Sequence, residues 1–369
     1  MGTMRSPDYV GGGLVNLVAE LEQRLSDRSV SPGLTPDLAA SIPNAETYVL
    51  VLFDGLGDLQ IASHEAAADL KEHRAGALDA PFSTQTSVAT ATLATGLPPS
   101  RHGLVSYLMR LPQCDSPVNT LWWSDVDGTT VDIDLEGFLP APNMAERLAS
   151  RGAEAVVVEP AIYLGGPLDR VLYRGAQTRG VEEGSSVAEA ALEEASRPGR
   201  LVICYLPHVD VAAHATGTGS GAYVEALRTV TNEWQTIGGG LPSHAALIGT
   251  ADHGMVDVAP DDRIDLDPPS SLILFGDGRV IYVDGEPGLA AEYTSGLPAT
   301  WLPIDEARHL WGPGPFHPEL ESRLPVGLIV ADDNVALHYP GNQIHLVGYH
   351  GGLSEDELRI PLLVWDGDA

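Results

Sequence analysis

The fold of this chain is decided by residues 48–55, which read YVLVLFDG. Six consecutive apolar residues are typical of a strand that is buried on both faces, as strands of parallel sheets are. The Asp54-Gly55 pair that follows indicates a turn at the end of this strand. The segment therefore predicts a buried strand of a parallel sheet, with a carboxylate at its carboxyl end.

The same alternation continues through the 369 residues. Further apolar segments predict strands at Ala155–Val158, Leu201–Leu206, Ala245–Ile248 and Ile360–Trp365. Segments with helical spacing predict helices at 14–25, 86–95, 143–150, 186–195 and 222–237. This order predicts an α/β fold, with a mostly parallel central sheet and helices on both faces.

The rhythm breaks between residues 257 and 345, where proline, glycine and aspartate are frequent and the apolar runs are short. We expect this stretch to form a smaller, cap-like insertion. The predicted organisation is an N-terminal helix and linker at 1–46, a catalytic α/β core at 47–256 and 346–369, and the inserted cap-like region at 257–345.

Composition restricts the partners of the protein. The chain has 51 acidic and 20 basic residues, which gives a formal net charge of −31. Such a surface repels nucleic-acid polymers and anionic membranes. Neither a bilayer-spanning apolar run nor a secretory signal is found, and the two cysteines suggest no disulfide framework, so we expect a cytoplasmic location. The sequence indicates no particular oligomeric state.

Polar side chains follow or precede several predicted strands. In parallel sheets the ligand site lies at the carboxyl ends of the strands, so these side chains are expected to converge. Each cluster alone is also compatible with an ordinary turn or a surface pair, but their joint occurrence beside four separate strands favours a functional site. The candidates are Asp54, Asp210 and His214 (in YLPHVDVAAH), Asp252 and His253 (in GTADHGM), and His350 (in VGYHGG).

Carboxylates and imidazoles in this number predict a metal site. Asp and His ligands suit zinc, with manganese or iron as alternatives. Six ligands are more than one tetrahedral ion requires, so two ions are expected. Two ions that share a nucleophile can stabilise both the entering and the leaving oxygen of a displacement at phosphorus.

The nucleophile is expected where a helix begins, because free backbone N–H groups and the helix dipole favour a phosphate. Residues 81–103, PFSTQTSVATATLATGLPPSRHG, contain such a helix start. Thr84, Thr86, Ser87 and Thr90 all offer a hydroxyl there. Spacing alone does not choose among them, since Ser and Thr are also common as caps at helix starts.

The combined motifs resemble the alkaline phosphatase superfamily, most closely its nucleotide pyrophosphatase/phosphodiesterase branch. In that branch a threonine opens a helix that ends in Thr-Gly-Leu and is followed by Pro and His-Gly. This chain has Thr86 nine residues before Thr95-Gly96-Leu97, followed by Pro98 and His102-Gly103. The resemblance, which extends from about residue 47 to 365, implies that Thr86 is the nucleophile and forms a phosphothreonine intermediate.

The resemblance also implies how the ligands are divided between the two ions. One ion is expected on Asp54, Asp252, His253 and the Thr86 oxygen. The other is expected on Asp210, His214 and His350.

The chain departs from the better-known members just after the nucleophile. They carry Phe-Pro-Asn where this chain has Ser87-Val88-Ala89. The partner of the phosphate oxygen therefore stays open between the Ser87 backbone N–H, the Ser87 hydroxyl and the Thr90 hydroxyl. Tyr107 is a further candidate for substrate binding, by stacking on a base or aryl group. His345 is an additional histidine that could support the metal ligands.

The predicted substrate is a small phosphate ester, and a nucleotide is one candidate. A phosphodiester or pyrophosphate is favoured because the nearest arginine, Arg101, lies beyond the helix, whereas monoesterases usually place an arginine beside the nucleophile. Sulfatases need a Cys or Ser in a C/S-x-P-x-R context, which is missing. The alternatives are a phosphomonoesterase of the same superfamily, a metal-dependent mutase, or a non-catalytic metal-binding scaffold.

Overall fold

The strand predicted from YVLVLF extends over Thr47–Phe53 in the computed structural model, and all seven residues are buried. It lies in the middle of a seven-stranded sheet and pairs in parallel with a strand on either side. Coverage on both faces explains why the run is continuously apolar rather than alternating. The structure describes residues 4–332, 334–340, 342 and 346–367.

The described residues form seventeen strands, numbered here in chain order. They are β1 Thr47–Phe53, β2 Arg74–Asp79, β3 Leu108–Met109, β4 Val118–Asn119, β5 Glu154–Pro160, β6 Gln177–Val181, β7 Arg200–Leu206, β8 Ala245–Ala251, β9 Val256–Asp257, β10 Arg263–Asp265, β11 Ile273–Gly276, β12 Val280–Asp284, β13 Ala299–Pro303, β14 Gly327–Ala331, β15 Ala336–His338, β16 Gly348–Tyr349 and β17 Arg359–Val364.

Fifteen α-helices lie in the same ranges. They are α1 Leu14–Ser26, α2 Pro36–Ser41, α3 Asp58–Ser63, α4 Ala68–Glu72, α5 Thr86–Thr95, α6 Pro99–His102, α7 Met144–Ala149, α8 Pro167–Leu172, α9 Val187–Ala195, α10 His208–Thr216, α11 Gly221–Gly240, α12 Pro287–Thr294, α13 Ile304–Ala307, α14 Leu320–Arg323 and α15 Glu355–Leu358. The five helices and five strands predicted from the sequence are all present, with bounds within three residues of those expected. No described helix has both the length and the apolar character that crossing a bilayer requires.

The central sheet has the order β2-β17-β8-β1-β7-β5-β6. Strands β8, β1, β7, β5 and β6 are parallel, which confirms the mostly parallel α/β fold. Strand β17 runs antiparallel to both β8 and β2. Because it is reversed, its first residue lies at the edge where the parallel strands end. A side chain that precedes β17 therefore reaches the same edge as those that follow β1, β7 and β8.

A second, four-stranded sheet with the order β11-β12-β14-β13 is antiparallel throughout. It lies within residues 257–345 and has its own apolar cluster, which includes Ile281, Val283 and Ile329. Its opposite side contributes Tyr282 and Leu328 to the cluster that also contains Val88 of α5. The sheet thus packs close to the helix that carries Thr86. The division into core and cap remains a prediction.

Helix α5 is buried along its length, with residues Ser87–Thr95 all buried. A buried helix must satisfy its terminal carbonyls from within the protein. Gly96 supplies a left-handed turn after the last residue, with φ of 64°, and Arg147 donates to the carbonyl of Thr95 at 2.9 Å. The helix is therefore fixed at its far end, and its amino-terminal end faces the edge of the sheet.

Candidate active site

Thr86 is the first residue of α5, and Gln85 is the N-cap. It is only partly buried, whereas its neighbours on both sides are buried. Its Oγ1 lies 3.2 Å from Nε2 of His253. The hydroxyl is therefore accessible at the amino-terminal end of α5, where the helix dipole stabilises an anion.

The first group of predicted ligands lies around His253, which follows β8. Its Nε2 is 3.5 Å from Oδ1 of Asp54 and 3.4 Å from Oδ2 of Asp252. Strands β1 and β8 are paired neighbours, so the residues that follow them are brought together by the register of the sheet. All three side chains are buried. We call these residues the Asp54 group.

The second group consists of Asp210, His214 and His350, here called the Asp210 group. The first two lie one turn apart on α10, so both project from the same face. Nε2 of His214 is 3.2 Å from Oδ1 of Asp210 and 3.2 Å from Nε2 of His350. His350 reaches this point from the loop before α15 and β17.

The two groups meet. The rings of His253 and His350 stack with centroids 3.6 Å apart. Ligand atoms of the Asp210 group lie within 4.8 Å of one another, and so do those of Asp54, Asp210 and His253. Asp210 thus lies between the two groups. All six predicted ligands converge with Thr86, as the positions at the strand ends led us to expect.

The donor atoms in this cluster fit metal ions. Asp54 Oδ1, Asp210 Oδ1 and Asp252 Oδ2 are buried and accept no hydrogen bond from any described residue. Leaving a buried carboxylate oxygen without a partner is costly, and a bound cation would remove that cost.

The three histidines of the site are held in the same way, with Nδ1 against a backbone carbonyl. Nδ1 of His214, His253 and His350 lies within hydrogen-bond distance of the carbonyl oxygens of Gly348, Gly254 and Thr84, at 2.8, 3.1 and 2.8 Å. Since a carbonyl can only accept, each Nδ1 must carry the proton, which leaves the Nε2 lone pair free. This arrangement is typical of histidines that bind metals.

Two of the three imidazoles, those of His253 and His350, are held in the neutral form that binds a cation, whereas the neighbouring Asp210 raises the pKa of His214. Burial lowers the pKa of His253 to about 4. Burial and the neighbouring imidazoles lower the pKa of His350 to about 3. Burial opposes the charge on Asp210, but His214, His350 and His253 together lower its pKa to about 2. Neutral imidazoles beside an ionised carboxylate are the forms that coordinate a metal.

Asp54 behaves differently, because burial and the nearby charges of Asp252 and Asp210 raise its pKa well above the usual value. Burial also raises the pKa of Asp252. Two carboxylates that face each other in a buried site resist ionising together. A divalent cation between them would reverse this effect and release a proton.

Gly55 is needed to bring the two groups this close. It has a φ of 74°, and a Cβ at this position would lie 2.9 Å from both Cα and Cβ of Asp210. Its N–H donates to Oδ1 of Asp252 at 3.0 Å, and the carbonyl of Asp54 accepts from the N–H of Asp210 at 3.1 Å. The turn that follows β1 therefore contacts both of the neighbouring ligand segments.

Three polar residues of the site were missed from the sequence. Tyr205 donates its hydroxyl to Oδ2 of Asp54. Gln85 donates to Asp277, a carboxyl whose pKa is raised to about 7 by burial. Tyr205 lies inside an apolar strand and Asp277 lies in the cap-like region, so neither belongs to a motif that the sequence could have revealed.

The side chains predicted to contact the substrate all form hydrogen bonds within the protein. The hydroxyl of Ser87 pairs with that of Thr120 at 2.7 Å, and Thr90 donates to the carbonyl of Thr86 at 2.6 Å. Both hydroxyls are thus engaged within the protein. The hydroxyl of Tyr107 accepts from Asn119 at 2.7 Å. His345 lies outside the described residues.

Thr86 and Asp210 both line two cavities that are bordered by described residues and open on the site. The cap-side cavity, of about 240 Å³, is bordered by Gln85, Tyr107 and Asp277. The other, of about 230 Å³, is bordered by Asp54, Thr90, Glu159 and Tyr163, and we call it the Glu159 cavity. Among the described residues, neither cavity is lined by a lysine or an arginine.

Comparison with protein families gives one match. The family described as type I phosphodiesterase / nucleotide pyrophosphatase matches residues 48–270, more than half of the chain. This stretch contains Thr86 and five of the six predicted ligands. A search of curated proteins found no match.

Solved structures with similar folds include murine ectonucleotide pyrophosphatase/phosphodiesterase 5, which is 19% identical with a TM-score of 0.65 and covers 85% of this chain and 87% of its own. An inactive variant of the murine protein was solved in complex with AMP, at 18% identity and a TM-score of 0.64, covering 85% and 87%. Phosphonoacetate hydrolase from Sinorhizobium meliloti, solved with phosphonoformate, is 16% identical with a TM-score of 0.65 and covers 88% and 91%. At these identities the likeness concerns the fold.

Proposed function

The chain belongs to the type I phosphodiesterase/nucleotide pyrophosphatase family, and from that premise we propose that it hydrolyses a phosphodiester or nucleotide pyrophosphate bond. Thr86 is the proposed nucleophile, and the Asp54 and Asp210 groups are the proposed ligands of two divalent metal ions. Zinc suits this set of carboxylate and imidazole ligands.

The observation that carries the choice of a diester is the pair of cavities that meet at Thr86. A diester has two organic substituents on phosphorus, and each cavity can receive one. A monoester has one substituent and an additional negative charge, which monoesterases neutralise with a cationic side chain. The described lining of both cavities offers no such side chain, so the second negative charge would lack a protein partner.

The metal ligands are proposed on the convergence of their donor atoms. The Asp54 group would hold one ion together with the Thr86 oxygen, and the Asp210 group would hold the other. When bound, two such ions would neutralise the charge that develops on the entering and leaving oxygens and would favour the ionised form of the nucleophile. The orphan carboxylate oxygens and the free Nε2 lone pairs support this assignment.

The protein's own part of the reaction starts at Thr86. Its hydroxyl loses a proton to solvent, its oxygen forms a bond to phosphorus, and the bond from phosphorus to the leaving oxygen breaks, so that the leaving group departs as an alkoxide and takes a proton from solvent. Water then cleaves the phosphothreonine and restores the hydroxyl. The amino-terminal end of α5 supports the negative charge of the phosphoryl group through its free N–H groups. The buried hydrogen bonds of α5 keep the nucleophile fixed during both steps.

The cap-like region takes part in the proposed site through one wall. Asp277 and Asn342, both within residues 257–345, line the cap-side cavity. We propose that this region contacts one substituent of the ester. The lining of the cavity, rather than the metal ligands, would then determine which substituent binds there.

The experiment compares bis-(p-nitrophenyl) phosphate with p-nitrophenyl phosphate in the presence of zinc, manganese or iron. We expect kcat/KM for the diester to exceed that for the monoester, and we expect both activities to disappear on chelation. A preference for the monoester would move the protein to the phosphomonoesterase branch. If the protein bound no metal and hydrolysed neither ester, a non-catalytic scaffold would be favoured.

A further inference from the structure

The Glu159 cavity contains a pair of buried carboxyl groups that the proposed reaction does not use. Glu159 lies near the end of β5, and Asp169 lies in the first turn of α8. Glu159 is only 4% exposed, and its Oε1 has no described hydrogen-bond partner other than the neighbouring carboxyl of Asp169. Oδ1 of Asp169 is likewise buried with no other described partner, while Oδ2 accepts from the Gly165 N–H at 2.6 Å.

The charge of this pair is negative at neutral pH. Burial and the charge of Asp169 raise the pKa of Glu159 to about 8, and burial also raises the pKa of Asp169. Two interacting carboxyl groups in one site hold a proton between them, so the pair keeps about one negative charge. That charge faces a cavity in which no described lysine or arginine is present.

The walls beside the pair are aromatic. Tyr163 and Tyr205 border the cavity with ring centroids 5.8 Å apart and planes at 71°, which makes an angled pair of ring faces. Tyr173 borders it as well. Aromatic faces attract an organic cation through the ring quadrupole, and the attraction increases when the cation is desolvated.

The mouth of the cavity is apolar. Trp122, Ile162 and Val211 line it, and their exposed fractions are 63%, 85% and 58%. Large apolar side chains that are exposed together commonly mark a place where a ligand binds. An inorganic cation would need about six oxygen ligands, which these carbon-rich walls do not provide. The cavity is therefore suited to a cation that is carried on carbon.

We propose that the Glu159 cavity binds a positively charged organic group, an amine or quaternary ammonium, on one substituent of the phosphate ester. This inference rests on the proposed function, because the cavity opens on Thr86 and Asp54. It narrows the substrate to esters in which the cation lies a few bonds from phosphorus. The strongly acidic surface of the protein, with its formal charge of −31, attracts the same class of molecule.

The test uses two esters of the same shape that differ in one charge, p-nitrophenyl phosphocholine and p-nitrophenyl 3,3-dimethylbutyl phosphate. Hydrolysis of either breaks the bond between phosphorus and the p-nitrophenolate oxygen, and water supplies the new oxygen of the phosphate monoester. We expect wild-type kcat/KM to be higher for the cationic ester by about tenfold or more.

Substitutions test whether the carboxyl pair causes the preference for the cationic ester. The double variant Glu159→Gln/Asp169→Asn keeps the size of both side chains and removes the charge of the pair, so we expect the ratio of kcat/KM for the cationic ester to that for the neutral ester to fall to within about threefold of one. Glu183→Gln is the matched control, since Glu183 is exposed, lies outside the cavity and changes the net charge equally. Thermal unfolding of each variant verifies that it is folded.

Direct binding separates this inference from the proposed function. Calorimetry measures tetramethylammonium binding to wild type, the double variant Glu159→Gln/Asp169→Asn and Glu183→Gln at constant ionic strength. Equal hydrolysis of both esters by wild type would overturn the cation site and leave the diesterase intact. Binding that depends on the Glu159–Asp169 pair without hydrolysis of either ester would overturn the diesterase and support the cation site. Neither hydrolysis nor binding would overturn both.

Discussion

Replacing Asp252 with asparagine should stabilise the metal-free protein and weaken its response to metal. Oδ1 of Asp252 accepts from the N–H groups of Gly55 and His253, each at 3.0 Å, and an asparagine oxygen can keep both bonds. Oδ2 has no described hydrogen-bond partner and raises the pKa of Asp54 through like charge. The variant removes this repulsion while it removes a proposed ligand.

The expected sizes can be worked out. Removing an uncompensated buried charge is worth about 2 kcal/mol, and unfolding entropy for 369 residues is about 0.8 kcal/mol/K, so the metal-free variant should unfold about 2–3 °C higher. For wild type, zinc at about a thousand times its Kd adds about 4 kcal/mol, or about 5 °C. In Asp252→Asn about half of that gain, or less, should remain, because only the Asp210 group keeps its full set of ligands.

The difference should also depend on pH. The raised pKa of Asp54 means that its contribution to the stability of the metal-free protein is present at low pH and is lost as pH rises towards its folded pKa. Asp252→Asn reduces that loss, so its advantage over wild type should increase with pH.

The assay is thermal unfolding of chelated and zinc-loaded protein, with zinc content measured on the same samples. Asp58→Asn is the control, because Asp58 is another buried aspartate but bonds to Arg74 at 2.5 and 2.8 Å. It should lose stability and keep the full zinc response. A metal-free Asp252→Asn protein that is less stable than wild type and still gains about 5 °C with zinc would refute the ligand role of Asp252.

Three further predictions concern residues around the ligands. Tyr205→Phe should lower zinc affinity by about tenfold or more, because Asp54 loses the hydroxyl that orients it; metal titration measures this, and unchanged affinity would argue against such a role. Gly55→Ala should cost about 2 kcal/mol or more and reduce zinc content, since the new Cβ meets Asp210; urea unfolding and metal analysis test both effects, and an unaltered protein would contradict the close approach. Glu357→Ala should cost about 3–5 kcal/mol in urea unfolding, because the buried guanidinium of Arg279 loses its carboxylate counter-ion; a loss below about 1 kcal/mol would contradict this.

Much of the sheet could be predicted because its strands are buried on both faces. Tyr48–Phe53 and Leu201–Leu206 are continuous apolar runs, and the polar residues that follow them necessarily lie at the edge where ligands bind. The reversed direction of β17 could not be predicted from its apolar pattern, which is the same for either direction. His350 reaches the site because β17 is reversed, as the strand begins where the others end.

The remaining parts of the site depend on contacts between distant segments. The pairing of Tyr205 with Asp54 and the approach of Gln85 to Asp277 arise only after the sheet and the cap-like region have packed. Glu159 ends an apolar strand in the same way as Asp54, but it lacks a neighbouring motif that would mark it as functional. Spacing likewise could not choose Thr86 among the hydroxyls of its segment, and its placement beside His253 supports the choice made from the family resemblance.

The most direct test of the account is to trap the phosphorylated enzyme. Zinc-loaded protein is mixed with bis-(p-nitrophenyl) phosphate, quenched in acid and mapped by mass spectrometry, for wild type, Thr86→Ala and the control Thr95→Ala on the same helix. We expect the phosphoryl adduct on Thr86 in wild type and Thr95→Ala, and a loss of turnover in Thr86→Ala on the order of a thousandfold or more. An adduct on another residue, or Thr86→Ala activity within about tenfold of wild type, would contradict the assignment of Thr86 as nucleophile.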